Sequence, residues 1–339
     1  MTPRVSVLMP CFNAAATVDE AVTSILDQSW TDFELVAVDD GSTDGTADRL
    51  QARAEGDVRV RLLRHAHAGL IEALNAGLAA CRGELVARHD ADDVAYPDRL
   101  QAQVELLERE PDLAAVGCLV EGFPAGQVRE GFRIYLEWLN RLVTPDDIAR
   151  EIFVESPLVH PSVMAQHRWL ERMGGYEDHG WPEDYDLWLR MHLAGARFAK
   201  VPAPLMAWRE HPGRLTRTDS RYSVENFLRA KAHYLLQGPL RDAARVVVWG
   251  AGAMGRRLSK HLVREGATVL AFIDIDPAKI GGRRRGRPIR APQDLPALLR
   301  DAPGTIVLAA VGARGARELI RAQLKEMALV EGQDWWAVA

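Results

Sequence analysis

Short apolar runs alternate with segments of helical periodicity along the N-terminal third of the chain. Runs rich in Val, Leu and Ile predict strands at residues 5–9, 33–38, 60–63, 84–88 and 113–119. Apolar residues spaced three or four apart predict helices at 16–28, with Thr17 as a cap, and at 46–55, 69–81 and 97–110. Strands that alternate with helices are typical of βαβ units, so we predict an α/β fold with a mostly parallel sheet.

The middle of the chain is predicted to be largely helical. Residues 129–153 are rich in Trp, Leu and Ile at helical spacing. Further helices are predicted at 223–236 and at 181–193, the latter starting at the Pro-Glu-Asp. Gln237-Gly238-Pro239 then interrupts the pattern, because glycine and proline both end helices. We therefore predict a first domain of residues 1–238 and a second domain of residues 241–339.

The same kind of pattern restarts after this break. The segment from Arg245, RVVVWGAGAMGRRLSKHLVREG, predicts a strand, a glycine turn and a helix, and TVLAFIDID predicts a strand that ends in acid. Another strand, glycine turn and helix are predicted in TIVLAAVGARGARELIRAQL. These elements indicate a small Rossmann-like domain with a parallel sheet.

Charge is distributed unevenly between the two predicted domains. The chain has a formal net charge of −5, but from Arg245 onward it has 16 basic and nine acidic side chains. The N-terminal domain is therefore clearly acidic, and its charge does not favour nucleic acid as a partner.

The cysteines and the apolar runs bear on the compartment. The three cysteines, Cys11, Cys81 and Cys118, form no C-x-x-C pair, so neither a zinc site nor a disulfide framework is indicated. A strand is predicted almost at the N-terminus, and no apolar run approaches the ~20 residues that span a bilayer. We expect a cytoplasmic protein, or one peripheral to the inner face of the membrane.

Two acid clusters each follow a predicted strand. Asp39-Asp40 and Asp90-Ala91-Asp92-Asp93 come directly after apolar runs. Ligands of open α/β sheets bind at the carboxyl ends of the strands. Carboxylates gathered there repel one another unless a cation or a hydrogen-bond donor lies between them, and a divalent cation carrying substrate phosphates meets that need.

Four motifs in one order resemble a known family. They are VSVLMPCFN, VDDGSTDGT, LNAGLAACRGELVARHDADD with YPDRL, and GGYEDHGWPEDYDLWLR. From Val5 to about His211 the chain resembles an inverting family 2 glycosyltransferase with the GT-A fold. The resemblance implies a GT-A nucleotide-diphospho-sugar transferase sheet, followed here by the small Rossmann-like parallel α/β domain.

The resemblance implies a metal site in the second acid cluster. Asp90-Ala91-Asp92 matches the D-x-D motif of the family, in which Asp92 would contact an Mn²⁺ or Mg²⁺ ion that bridges the two phosphates of the donor. Asp90 would contact the ribose or the metal. Asp93 is expected to support these residues or to cap the following turn.

The resemblance also implies a nucleotide pocket at the first acid cluster. Asp39 would recognise the base, which favours uridine or thymidine donors, while Asp40 would hold the loop. An Asx-turn is the alternative, because DDGSTDG is rich in turn formers. Pro10, Phe12 and Asn13 fall in the turn that lines the pocket in the family, and a packing role is their alternative.

Glu183-Asp184 matches the E-D motif of the family. Asp184 would be the general base that takes the acceptor proton in one direct displacement at C1, and Glu183 would support it. The alternative is two acids favoured by the dipole of a helix N-terminus. Trp181 and Trp188 flank the motif and would stack on a sugar face, with a place in the core as the alternative for Trp188.

Two further segments match family positions. They are His160-Pro161-Ser162 and Trp208-Arg209-Glu210-His211. In the latter, Arg209 or His211 would contact phosphate or metal, and we include His211 among the expected metal ligands.

The second domain has a dinucleotide fingerprint. Gly250, Gly252 and Gly255 fit G-x-G-x-x-G between a strand and a helix, and Asp274 ends the next strand. NAD or another nucleotide is therefore a candidate ligand, although the domain is short and has no evident hydride-transfer residues. A structural role is the alternative.

The leading hypothesis is a metal-dependent inverting glycosyltransferase of glycan or polysaccharide biosynthesis. Its partners would be a nucleotide-sugar donor and a glycan, lipid-linked or other hydroxyl acceptor. The alternatives are an NAD-dependent oxidoreductase and a non-catalytic nucleotide-sugar-binding protein. A nucleotidyltransferase would need a glycine-rich, Arg-containing turn after the first strand, which MPCFNAAAT does not provide.

Overall fold

The chain folds into two compact units. The computed structural model describes residues 2–243 and 245–339. The first unit contains the residues up to Ala149 together with Pro157–His179 and Glu183–Thr218, and the second contains Arg150–Ser156, Gly180–Pro182 and Asp219–Ala339. The division into domains 1–238 and 241–339 stays a prediction, since domains are defined by independent folding.

The first unit alternates strands and helices, as its sequence predicts. Its strands are β1 (Val5–Cys11), β2 (Phe33–Asp40), β3 (Val60–His65), β4 (Leu85–Arg88), β5 (Val94–Ala95), β6 (Leu113–Phe123), β7 (Met164–Gln166) and β8 (Arg197–Arg209). Its helices are α1 (Val18–Leu26), α2 (Thr46–Gly56), α3 (Leu70–Ala80), α4 (Arg99–Arg109), α5 (Glu130–Arg141), α6 (Pro145–Glu151, which ends in the second unit), α7 (His167–Arg172), α8 (Glu183–Leu193) and α9 (Leu215–Thr218). Short 3₁₀ turns lie at Ala125–Gln127 and His160–Ser162.

Eight strands among the described residues form one sheet in the order β3-β2-β1-β4-β7-β6-β8-β5. The pairs β1–β2, β2–β3, β1–β4 and β6–β8 are parallel, whereas β7 pairs antiparallel with β4 and β6, and β5 with β8. The predicted α/β fold with a mostly parallel sheet is therefore confirmed.

The core of the first unit follows from the apolar pattern. Every residue of β1 and β2 is buried, and α1 packs Val18, Val22 and Ile25 into the same core. Each such side chain contributes about 1.5–3 kcal/mol when it leaves water. The helices thus cover the sheet and leave its carboxyl edge to polar residues.

The helix predicted over residues 129–153 is wrong in its extent, because the chain breaks between α5 and α6. Thr144 precedes Pro145, and the residue before a proline disfavours helical geometry. The Thr144 hydroxyl donates to Asp147 Oδ2 at 2.6 Å and accepts from the Asp147 amide at 3.2 Å, which caps the new helix.

The long strand β8 was not predicted. Pro202 and Pro204 interrupt its apolar pattern, and proline is unusual within a sheet. In the structure the register with β6 shifts beside Pro204, so the prolines lie where the ladder is already irregular.

The second unit contains a smaller sheet. Its strands are β9 (Arg245–Trp249), β10 (Thr268–Ile273), β11 (Arg283–Arg284), β12 (Arg287–Arg290), β13 (Ile306–Ala309) and β14 (Trp335–Ala337), in the order β11-β12-β10-β9-β13-β14. Its helices are α10 (Val224–Gln237), α11 (Ala253–Arg264), α12 (Leu295–Asp301) and α13 (Ala316–Glu326). Apart from the β11–β12 hairpin the pairings are parallel, as predicted. Within the described residues, no helix has the length and apolar character needed to cross a membrane.

Candidate active site

The two acid clusters lie at the same edge of the large sheet. Cys11 at the end of β1 pairs with Asp39 at the end of β2. On the other side of β1, the amide of His89 donates to Leu8 O at 3.0 Å, just before Asp90. Because these strands are parallel, their carboxyl ends bring Asp39 and Asp90 to one edge.

Asp40 holds a neighbouring loop. Its carboxylate accepts hydrogen bonds from the amides of Ala68 (2.8 Å) and Gly69 (3.0 Å) and lies 2.8 Å from His67 Nδ1. Asp39 is also buried, and it accepts one long bond, from the Ser42 amide at 3.4 Å. The carboxylate of Asp39 thus makes fewer and longer hydrogen bonds than that of Asp40.

The turn after β1 joins the loop after β2. Asn13, with φ +49°, donates its amide to Ser42 Oγ and accepts from the Thr43 amide, both at 2.9 Å. Phe12 is 47% exposed and stacks on His67 with ring centroids 4.2 Å apart, whereas Pro10 is buried in β1. Phe12 is the member of this turn that offers a ring surface to a ligand.

Three carboxylates of the second cluster converge. Asp90, Asp92 and Asp93 each have a carboxylate oxygen within 4.8 Å of the others. Asp90 pairs with Arg88 at 2.7 Å, and Asp92 Oδ2 lies 2.9 Å from His211 Nε2. The structure therefore brings His211 to Asp92 across 119 residues of sequence.

The second cluster carries more negative charge than its partners neutralise. Burial, and then the charge of Asp90, raise the pKa of Asp92 and raise that of Asp93 well above the usual range. Asp93 Oδ1 accepts from the Arg209 amide at 2.7 Å rather than capping a helix. Its Oδ2 is buried and has no hydrogen-bond partner within the described ranges. Clustered hard oxygen donors with uncompensated charge fit Mn²⁺ or Mg²⁺.

Residues outside the motif also bind the Asp90–Asp93 loop and the end of the strand before it. Arg99, in the YPDRL segment, is fully buried and donates to Arg88 O at 2.6 Å, while its other nitrogen lies 3.2 Å from His89 Nδ1. Contrary to the prediction, the side chain of Thr17 does not cap α1. Its hydroxyl donates instead to Ala91 O at 2.9 Å, so the first turn of α1 supports the same loop.

The E-D motif begins α8. Glu183 and Asp184 are its first two residues, so the helix starts at the Pro-Glu-Asp, as predicted. Burial and the charge of Glu183 raise the pKa of Asp184 to about 8. Asp184 remains partly exposed, whereas Glu183 is buried, so Asp184 is the acid that a substrate can reach.

Arg88 links the two groups of acids and was missed in the sequence. It is 5% exposed, pairs with Asp90, and its charge lowers the pKa of Asp184. The charge of Glu183 acts on Arg88 in turn. The position of Arg88, two residues before Asp90, could have indicated a place in the site. An arginine at the end of a strand does not by itself indicate a functional role.

The segment after β8 completes one side of the site. Arg209 Nε donates to Asp92 O at 2.5 Å. Glu210 is buried and pairs with Arg214 at 3.1 Å and with Arg217. The charge of Arg214 lowers the pKa of Asp92, so basic residues of this segment counter the acid cluster.

The tryptophans beside the E-D motif do not present rings to a sugar. Trp188 is 1% exposed and packs edge-on against Phe198 at 6.2 Å. Trp181 is 7% exposed and belongs to the second unit, in which it contacts Tyr234 and His233. The core alternative is therefore the correct one for Trp188, and the expected sugar stacking of Trp181 is wrong because its ring is buried.

The glycine turn of the second unit is tightly packed. A Cβ on Gly255 would lie 1.8 Å from Gly250 O, and Gly250 has φ +120°, whereas Gly252 faces open space. Asp274 accepts from the Ala251 amide at 3.0 Å and lies 3.3 Å from Lys279 Nζ. The acid expected to meet a ribose is thus engaged within the protein.

Comparisons with known proteins agree on one family. The family model described as glycosyl transferase family 2 matches residues 6–168. EpsE of Bacillus subtilis (strain 168), a protein named as a glycosyltransferase, is 33% identical over 71% of this chain and 85% of its own length. The amylovoran biosynthesis glycosyltransferase AmsE of Erwinia amylovora is 29% identical over 59% of this chain and 74% of its own.

A solved structure shares the fold. S. aureus TarS 1–349 in complex with UDP-GlcNAc superposes with a TM-score of 0.58 at 19% identity, covering 78% of this chain and 72% of that one. The curled α/β sheet of the first unit is therefore a GT-A sheet, as the sequence predicts.

Proposed function

This chain belongs to glycosyltransferase family 2, and we propose that it transfers a sugar, with inversion and with the help of a divalent cation, from a nucleotide-diphosphate sugar to an acceptor hydroxyl. The observation that carries the proposal is the arrangement around Arg88. Asp90 of the D-x-D motif pairs with Arg88, and the charge of Arg88 acts on Asp184 of the E-D motif. This arrangement supports a leaving-group site at Asp90 and a proton acceptor at Asp184 that would act on the same substrate.

Asp90, Asp92 and His211 would hold Mn²⁺ or Mg²⁺. The bound cation would neutralise charge on the departing nucleoside diphosphate. The chain itself contributes the oxygen donors of Asp90 and Asp92 and the imidazole nitrogen of His211, while the Arg209 amide and the Thr17 hydroxyl keep the loop in place.

Asp184 would take the proton of the acceptor hydroxyl as that oxygen attacks C1 from the face opposite the leaving group. One displacement of this kind inverts the configuration at C1. Glu183 would support the base, because its charge favours proton uptake by Asp184.

Asp39 would accept a hydrogen bond from N3–H of a pyrimidine, so uridine or thymidine donors are favoured. Asp39 is buried at the end of β2 with only one long hydrogen bond in the described part of the chain, and Phe12 exposes a ring nearby on the turn after β1. The UDP-GlcNAc held by TarS in its complex is consistent with such a donor.

The acceptor would be a glycan, a lipid-linked sugar or another hydroxyl compound of polysaccharide biosynthesis, in the cytoplasm or at the inner face of the membrane. AmsE, named for amylovoran biosynthesis, supports this assignment. In the second unit, Gly250, Gly252, Gly255 and Asp274 would bind NAD or another nucleotide, with Asp274 also accepting from the Ala251 amide.

A donor panel tests the proposal. UDP-, dTDP- and GDP-sugars would be incubated with the full chain, with MnCl₂ or with excess EDTA, and released nucleoside diphosphate would be measured. We expect release from a UDP- or dTDP-sugar that stops in EDTA. Full turnover in EDTA would contradict metal dependence, and a GDP-sugar as the sole donor would contradict the role of Asp39.

A further inference from the structure

A chain of hydrogen-bonded polar side chains joins separate segments of the first unit, and it begins at α3. Asn75 Nδ2 donates to Tyr176 O, and the Tyr176 amide donates to Asn75 Oδ1, both at 2.9 Å. The side-chain amide of Asn75 thus binds the backbone of Tyr176 as a neighbouring strand would. The backbone position of Tyr176 is fixed by α3.

The turn before Tyr176 is held from two sides. Gly175 has φ +79°, and a Cβ there would lie 2.6 Å from Asn75 Oδ1, so only glycine permits this close approach. From the other side, Arg190 of α8 donates to Gly175 O at 2.9 Å and to Met173 O at 2.7 Å. The turn is therefore hydrogen-bonded both to α3 and to α8, the helix that carries the E-D motif.

The chain continues through Tyr176 to His160. Both side chains are buried, and the Tyr176 hydroxyl lies 2.9 Å from His160 Nε2. On the other side of the same ring, His160 Nδ1 lies 3.9 Å from Glu183 Oε1. His160 thus stands between the hydroxyl of Tyr176 and the first carboxylate of α8.

Burial, and then the charge of Arg88, hold the pKa of His160 well below its usual range, so the ring is neutral. A neutral imidazole has one N–H group. The Tyr176 hydroxyl, 2.9 Å from Nε2, makes the hydrogen bond of this ring, whereas Glu183 Oε1, 3.9 Å from Nδ1, is a neighbouring carboxylate beyond hydrogen-bond range.

We propose that Tyr176 and His160 are positioning residues for the E-D motif, a role that rests on the proposed function of Asp184. They hold Glu183, and with it the first turn of α8, in the orientation that Asp184 needs to reach the acceptor hydroxyl. His160 also packs edge-on against Trp188 of α8, with ring centroids 6.0 Å apart. Close packing restricts side-chain rotation, and misplacement of a catalytic group by about 1 Å costs about 10²-fold in rate.

Two variants of His160 test the roles of its two ring nitrogens separately. In His160→Asn the side-chain amide occupies the place of Nδ1, next to Glu183, whereas in His160→Gln it reaches the place of Nε2, next to Tyr176. We expect kcat to fall by about 10²-fold in His160→Gln and by less in His160→Asn, with donor KM changed by no more than about twofold.

His167 provides a matched control. It is a histidine of the same unit whose Nδ1 lies 2.9 Å from Gly83 O, in a cleft lined by Arg4, Arg82 and Glu171 rather than by the acid clusters. His167→Gln should keep the wild-type kcat. A purely structural role of His160 would lower the melting temperature of His160→Gln and leave its kcat at saturating donor unchanged, and that result would overturn the proposal.

Turnover would be measured as nucleoside diphosphate released from UDP-GlcNAc, dTDP-glucose or GDP-mannose with MnCl₂. If the wild type released none of them, the proposed function would be in question, and hydrogen exchange of the full chain still tests the positioning role. The Tyr185 amide, which donates to Asp184 Oδ1 at 2.7 Å, should exchange about tenfold faster in His160→Gln than in the wild type or His167→Gln. Equal exchange in all three proteins would overturn the proposal.

Discussion

Asp184, the proposed general base, is the residue whose ionisation would decide when the site can act. Burial and the charge of Glu183 raise its pKa to about 8, and a general base must be ionised to accept a proton. A raised carboxyl pKa leaves the base protonated at neutral pH. We expect kcat/KM to rise by about tenfold per pH unit below pH 8 and to level off above it.

A pH profile of nucleoside diphosphate release between pH 6 and 9.5 checks this expectation. The melting temperature, measured over the same range, identifies any loss that comes from unfolding. A rate that is constant from pH 6 upward would show that the base ionises in the ordinary carboxyl range, and the environment assigned to Asp184 would then be wrong.

For individual residues, the sequence motifs predict which residue types form the site, but not which groups each side chain bonds. Asp40 and Asp39 are adjacent in the sequence, and only the fold shows that Asp40 bonds the amides of Ala68 and Gly69 while Asp39 makes one long bond. Arg88 could not be assigned from the sequence, because its role depends on acids that are adjacent in space and nearly 100 residues apart along the chain.

Among the elements, helix α1 departs from a local capping rule, because the residue before it bonds another loop of the site. Threonine before a helix predicts a side-chain cap, but the Thr17 hydroxyl donates to Ala91 O in the D-x-D loop. Thr17→Val keeps the shape of the side chain and removes this bond. We expect Mn²⁺ affinity to fall several-fold, by about 0.5–1.5 kcal/mol, while α1 keeps its stability.

Calorimetric titration with Mn²⁺ and UDP measures this effect. Thr23→Val is the matched control, because Thr23 is an exposed threonine of the same helix. If both variants bound Mn²⁺ as tightly as the wild type, α1 would not support the metal loop.

Strongly periodic elements could be predicted, and irregular ones could not. The strands of the N-terminal third stand out because their apolar runs are continuous and fully buried. Strand β8 carries Pro202 and Pro204, and the break before α6 depends on Thr144 and Pro145, so neither shows a clean period. The elements that present Arg209 and His211 were therefore the hardest to foresee.

Across the whole molecule, a short segment of the N-terminal half is part of the second unit. Glu151 is 3% exposed and pairs with Arg317 at 2.9 Å and with Arg321 at 2.5 Å, both on α13. Removing one side of a buried ion pair leaves an uncompensated charge, which costs about 3–5 kcal/mol. We therefore expect Arg317→Met/Arg321→Met to lose that much free energy of unfolding.

Denaturant unfolding of the full chain measures this loss. Arg314→Met is the control, because Arg314 is an exposed arginine just before α13. A double variant as stable as the control would mean that Glu151 does not tie residues 150–156 to the second unit.

The Asp90–Asp93 cluster is proposed to bind the metal and donor, while Asp184 of the E-D motif is proposed to remove the acceptor proton. The most direct measurement compares Asp92→Asn with Asp184→Asn, recording for each the Mn²⁺-dependent affinity for UDP and the turnover of the donor. We expect Asp92→Asn to lose both, and Asp184→Asn to keep the affinity of the wild type while its kcat falls by orders of magnitude. An Asp184→Asn protein that lost UDP affinity and kept its turnover number would contradict the account.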